Sequence, residues 1–113
     1  MKAVFDEESL REECDNDKEL LAKMYEIFTR DTDVRLPKLR TAIETGDAVV
    51  VNQEAHALKG SVGTFYAVAS FETAYKLETM GAQAELTDAK LVFAEFETEL
   101  QNLRQELERI IRE

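Results

Sequence analysis

The spacing of apolar residues constrains this chain most. Near the C-terminus, Phe93, Phe96, Leu100, Leu103, Leu107 and Ile110 follow one another at steps of 3, 4, 3, 4 and 3. Glu95, Glu97, Glu99, Arg104, Glu106 and Arg109 fill positions between them. That rhythm places every large apolar side chain on one stripe of an α-helix and the charges on its other faces. A strand would need alternation at every second residue, and no useful length of the chain shows it. The expected helix begins near Thr87 or Asp88, either of which can cap it.

The same period recurs upstream. Val51, Ala55, Leu58, Val62 and Phe65 repeat at 4, 3, 4 and 3, so a helix is expected from roughly Asp47 to Phe65. Gly46 suits the left-handed residue ending the preceding helix, and Asp47 can cap the next. That preceding helix begins near Asp17. Leu20 or Leu21, Met24, Ile27 and Phe28 form its first stripe, and Leu36, Leu39 and Ile43 a second. Pro37 lies between them and predicts a kink or break between about Asp33 and Pro37, because proline removes a helical hydrogen bond and clashes with the carbonyl four residues back. A further helix is expected from about Val68 to Gly81, with Phe71, Ala74, Tyr75 and Leu77 inward. A short acidic helix near Asp6 to Cys14 precedes the rest. The short Gly81–Leu86 connection makes the last two helices antiparallel neighbours. The expected fold is all-α: an antiparallel four-helix bundle with a short additional N-terminal helix, forming one domain over residues 1–113.

Composition agrees and narrows the function. A chain of 113 residues buries about two thirds of its unfolded surface, enough for one core. Its 14 Lys+Arg against 24 Asp+Glu leave a net charge of -10, which repels phosphate backbones and anionic membranes, so no nucleic acid and no membrane partner is expected. No apolar run approaches the roughly 20 residues of a membrane span, and the acidic N-terminus is not a signal peptide. Cys14 stands alone and cannot form an internal disulfide, so the cytoplasm is the simplest compartment. One His and one Cys cannot make a Cys/His zinc site, and no metal or cofactor is expected. Most of the acidic excess is solvated helix face.

Any imidazole chemistry therefore rests on His56. At 100° per residue it lies well away from the Val51–Phe65 stripe, on a face shared with Val49, Asn52, Gln53, Lys59, Gly60 and Gly63. Lys59 and Gly60 follow it by three and four places and are its surface neighbours. This predicts an exposed imidazole beside an ammonium, with bare backbone one turn on. Two glycines in a helix interior cost nearly ~2 kcal/mol relative to alanine. They serve either close packing of another helix or the approach of something large to His56. A neutral imidazole is a nucleophile near neutral pH, and an adjacent ammonium stabilises an added phosphoryl group.

His56-Ala57-Leu58-Lys59-Gly60-Ser61 resembles the H-x-L-K-G-[SA] signature of histidine-containing phosphotransfer (HPt) domains. Ala55 matches the small residue that commonly precedes the His. Gly63-Thr64-Phe65 is similar to the variant in the phosphotransfer domain of chemotaxis histidine kinases. Phe28, Asp31, Leu36, Leu39, Ala42 and Gly46-Asp47 upstream, and Ala74, Leu77-Glu78 and the last helix downstream, extend the resemblance over nearly the whole chain. Two positions depart from it. Tyr66 stands where the family commonly has Gly, and Asp33 where a proline is common, the proline being Pro37 instead.

The resemblance implies a relay: the His accepts a phosphoryl group from an aspartate of one receiver domain, or from a kinase, and passes it to an aspartate of another receiver in a response regulator. It makes His56 the phosphoacceptor through Nε2 and Lys59 the residue that offsets the phosphoryl charge. Gly60 gives the receiver access, and Gly63 does the same. Ser61 fits the motif, and Asn52, Gln53 and Val49 lie on the docking surface. Metal chemistry belongs to the receiver. The implied partners are receiver domains and a sensor histidine kinase, and the expected state is a monomer. The chain has no Gly-rich nucleotide loop, so it is not a complete kinase. The competing readings are a helical adaptor without His chemistry and the phosphotransfer fragment of a larger chemotaxis-type kinase. The initial Met favours a free-standing protein.

Overall fold

A computed structural model describes residues 4–113. Among these residues five helices follow in chain order: α1 (Glu7–Glu13), α2 (Lys18–Thr45), α3 (Ala48–Gly63), α4 (Val68–Ala82) and α5 (Ala89–Arg112). There is no strand among the described residues. α2 packs on α3, α3 on α4, α4 on α5, and α5 back on α2, which closes a four-helix ring. The short connections make each successive pair antiparallel. At 1.5 Å per residue the 28 residues of α2 span about 42 Å, matching the 42 Å long axis of the molecule.

Capping residues set the boundaries. The side chains of Asp6, Asp17 and Asp47 each accept backbone N–H bonds from the first turn of α1, α2 and α3. Gly46 closes α2 at φ 75°, the left-handed conformation expected of it. Asp88 occupies the cap position of α5 but makes no side-chain cap bond.

The core is the union of the apolar stripes. Val51, Ala55, Leu58, Val62 and Phe65 are all buried, as are Phe93, Phe96, Leu100, Leu103, Leu107 and Ile110. Phe5, Leu10 and Cys14 carry the core under α1, at the end where the N-terminal part of α2 meets the C-terminal part of α5. Tyr25 donates its hydroxyl to Glu108 across that pair at 2.8 Å. Arg109 to Glu7, Arg11 to Glu113 and Lys18 to the Glu113 carbonyl fasten the segment around α1 to the end of α5.

Three expectations are corrected. Of the kink or break expected between Asp33 and Pro37, the break does not occur: α2 runs through Pro37 as one helix. Asp33 and Pro37 both face solvent, so water can satisfy the carbonyl that proline leaves unpaired. Ile27 leaves the core and is 69% exposed, Leu21 and Phe28 being the buried members of that stripe. Phe71 and Tyr75, expected inward, lie outside the buried core, and α4 is buried instead through Ser70, Thr73, Ala74, Leu77 and Gly81.

The turn after α3 shows why the position of Tyr66 suits the glycine common in the family the chain resembles. The Ala67 N–H bonds the Val62 carbonyl and the Tyr66 N–H the Gly63 carbonyl. This is a Schellman closure, which requires a left-handed residue at the Tyr66 position, and Tyr66 takes φ 58°. The Tyr66 carbonyl also accepts the Asp6 N–H at 3.0 Å, which ties the turn to the start of α1.

Candidate functional site

His56 projects from the middle of α3 with 68% of its side chain exposed, on the side away from the core stripe. Its exposure follows from the helical period that buries Ala55 and Leu58 on either side of it in sequence. Nδ1 meets Oε2 of Glu78 at 2.6 Å. The other oxygen of that carboxylate, Oε1, lies 2.6 Å from Nζ of Lys59. Glu78 thus joins the imidazole and the ammonium from the facing helix α4.

Glu78 is mostly buried, and burial by itself raises its pKa. The hydrogen bonds from Lys59 and His56 outweigh that effect and hold the carboxyl below its ordinary value. It is therefore ionised at neutral pH and can only accept. In the neutral ring Nδ1 must then carry the proton and donate it to Glu78, which leaves the lone pair on Nε2, the nitrogen not engaged by Glu78. Such an arrangement produces a nucleophilic nitrogen with fixed tautomer, next to a cation.

The remaining residues divide. Val49 and Gln53 are exposed on the His56 face. Gly60 is open: a Cβ there would meet nothing within 4 Å. At Gly63 a Cβ would lie 3.4 Å from the Phe71 ring, so this glycine borders α4 as well as the open face. Asn52 turns to α4 and donates its amide to the Glu78 carbonyl at 2.8 Å. Ser61 turns the other way, donating to Asp31 and to the Ala57 carbonyl, both at 3.2 Å. Asp31 also accepts from Arg35, whose guanidinium reaches Glu54, so α2 and α3 are bridged beside the site.

Reading the sequence placed Phe71 and Tyr75 in the core and assigned Glu78 no part in the site. A signal was present. Positions 71, 75 and 78 repeat at 4 and 3 and form a stripe of α4 offset from the buried Ala74, Leu77 and Gly81. Large aromatic residues in an amphipathic helix suggest core, and that reading hid the stripe.

A helical ring presents one exposed imidazole, paired to a carboxylate and flanked by a lysine, an arrangement chemically equipped to hold a group on histidine. Residues 23–109 match the profile described as Hpt domain, and the chain belongs to that family, whose members work in histidine phosphotransfer within phosphorelay signalling. The fold also superposes on the crystal structure of histidine-containing phosphotransfer protein B from Pseudomonas aeruginosa PAO1. The TM-score is 0.89 at 22% identity, over 99% of this chain and 97% of that one. No curated protein sequence is matched.

Proposed function

We propose that residues 1–113 act as one phosphotransfer domain in which His56 is the phosphoacceptor. The observation that carries this reading is the Glu78–His56 contact, because it leaves the Nε2 lone pair free. The Nε2 lone pair attacks the phosphorus of a receiver's aspartyl phosphate. The Nε2–P bond forms as the P–O bond to the aspartate breaks, and that electron pair leaves with the carboxylate. The Nδ1 proton stays in its bond to Glu78, whose charge opposes the positive charge gained by the ring. Lys59 turns from Glu78 toward the phosphoryl oxygens. Onward transfer is the reverse, with the aspartate of a response regulator's receiver as nucleophile.

Gly60, with Gly63, Val49 and Gln53 along the same face of α3 on either side of His56, provides the approach for the receiver. Asn52 and Ser61 hold α3 to its neighbours beneath that surface. A sensor histidine kinase heads the relay. The domain works as a monomer in the cytoplasm, without a cofactor or metal of its own. Among the described residues no helix is long and apolar enough to cross a membrane, and the net charge of -10 disfavours nucleic acid.

Incubation with a phosphorylated receiver from the same genome tests this. The expected product carries acid-labile, base-stable phosphate at His56, and His56→Gln abolishes it. Label surviving that substitution overturns the site. No transfer from any receiver in a cognate panel favours a helical adaptor.

A further inference from the structure

We infer that Phe71 and Tyr75 are positioning residues that hold the Lys59 ammonium ready for the phosphoryl group. The inference rests on the reading of His56 as phosphoacceptor. Nζ of Lys59 lies 5.1 Å from the centroid of the Tyr75 ring and 5.8 Å from that of Phe71, both within the range of cation–π attraction. The same nitrogen is 2.6 Å from Glu78. Three side chains of one α4 stripe therefore converge on one cation from α3. Its side chain is only 21% exposed, whereas surface lysines ordinarily extend into water.

The placement of the rings supports the inference. Phe71 is 39% and Tyr75 56% exposed, so neither is there to fill the core. Gly63 leaves the Phe71 ring close against α3, since a Cβ would already touch it. The consequence concerns the ammonium's two partners. Glu78 and the incoming phosphoryl compete for it, and while it moves between them a free lysine would sample many rotamers. The rings are neutral partners that remain in contact through the exchange. They keep Nζ within reach of His56 without neutralising it, and so reduce the ordering that transfer requires.

The test uses the full chain and the small donor phosphoramidate, so no partner is needed. In that reaction Nε2–P forms, N–P of the donor breaks, and ammonia leaves. First, the Lys59 ε-methylene protons of the wild type should resonate upfield of a random-coil lysine through ring currents. Phe71→Leu and Tyr75→Leu should each move them back, and Tyr75→Phe should not. Second, the double leucine variant should label His56 about three- to tenfold more slowly, the range such a contact supports. Tyr75→Phe should label at the wild-type rate. Third, in a Lys59→Ala background the leucine substitutions should have no further effect. An unshifted Lys59 in the wild type, or leucine variants that slow the Lys59→Ala protein equally, overturns the positioning role while leaving His56 as phosphoacceptor. Ring-current shifts as expected, with no label at His56 from either phosphoramidate or receiver, overturn the phosphoacceptor reading and this role with it.

Discussion

Gly81 of α4 lies directly on the backbone of Asn52 of α3. A Cβ at Gly81 would stand 2.5 Å from the Asn52 nitrogen and 2.8 Å from the Ala48 carbonyl oxygen. The two helices are in backbone contact there, one turn from Glu78, and Asn52 donates to the Glu78 carbonyl beside that contact. The joint sets how near α4 brings its carboxylate to His56. Gly81→Ala must push the helices apart and should destabilise the fold by about 1–3 kcal/mol, the usual cost of overpacking. Gly60→Ala, on the open face, should instead stabilise it by up to about 1 kcal/mol through helix propensity. Urea titrations of both variants check the opposite signs.

Glu78 gives the site a defined pH response. Its carboxyl sits below the ordinary 4.5 because the bonds from Lys59 and His56 outweigh its burial. A carboxyl with a lowered folded-state pKa contributes stability that is present above about 4.5 and disappears as the pH falls through the folded value. Glu78→Gln should thus be less stable than the wild type at pH 7, with the gap shrinking at pH 3. Denaturation at the two values measures this, and a gap that widens in acid contradicts it. For the proposed chemistry, Glu78→Ala should slow labelling of His56 by phosphoramidate roughly tenfold, the scale of losing one well-placed charge partner.

The stripe arithmetic made most of the fold legible. Val51 to Phe65 and Phe93 to Ile110 are buried as their spacing requires, and Asp6, Asp17, Gly46 and Asp47 cap as their chemistry requires. His56, Lys59 and Gly60 were legible for the same reason, since they fall off the stripe. Glu78 was not, because its role depends on which residue of another helix it faces. Local spacing places a residue on a face of its own helix and says nothing of register across the joint. That register depends on the close approach that Gly81 permits at Asn52, which no local pattern announces. Ile27, Phe71 and Tyr75 show the complementary error: a large apolar residue near a stripe reads as core, although much of any protein surface is apolar.

The left-handed residues separate backbone strain from contact. Ala84 closes α4 in the same Schellman geometry as Tyr66, at φ 54°, and is exposed. Nothing about its methyl group offsets the conformation, so Ala84→Gly should stabilise the protein by about 0.5–1 kcal/mol. Tyr66 brings its hydroxyl within 3.4 Å of Glu13. Tyr66→Gly relieves the strain but removes that contact, whereas Tyr66→Ala removes the contact and keeps the strain. The alanine variant should therefore be the less stable of the two by about 1 kcal/mol. Thermal unfolding of the pair provides the comparison, and equal stabilities would mean that the turn opens without cost.

Cys14 reports on the docking of α1. The thiol is buried, and burial foremost, then the charges of Glu13, Asp17 and Asp15, raise its pKa, so the thiolate is scarce at neutral pH. Reaction with a thiol reagent must wait for the N-terminal segment to lift from the bundle. Arg109 holds that segment through Glu7, and Arg11 holds it through Glu113. Arg109→Ala should consequently speed Cys14 modification several-fold while the main unfolding transition changes little, because exposed ion pairs contribute only about 0–1 kcal/mol each. High salt should act in the same direction on the wild type. Modification as slow in Arg109→Ala as in the wild type would assign the docking of α1 to Phe5, Leu10 and Cys14 alone.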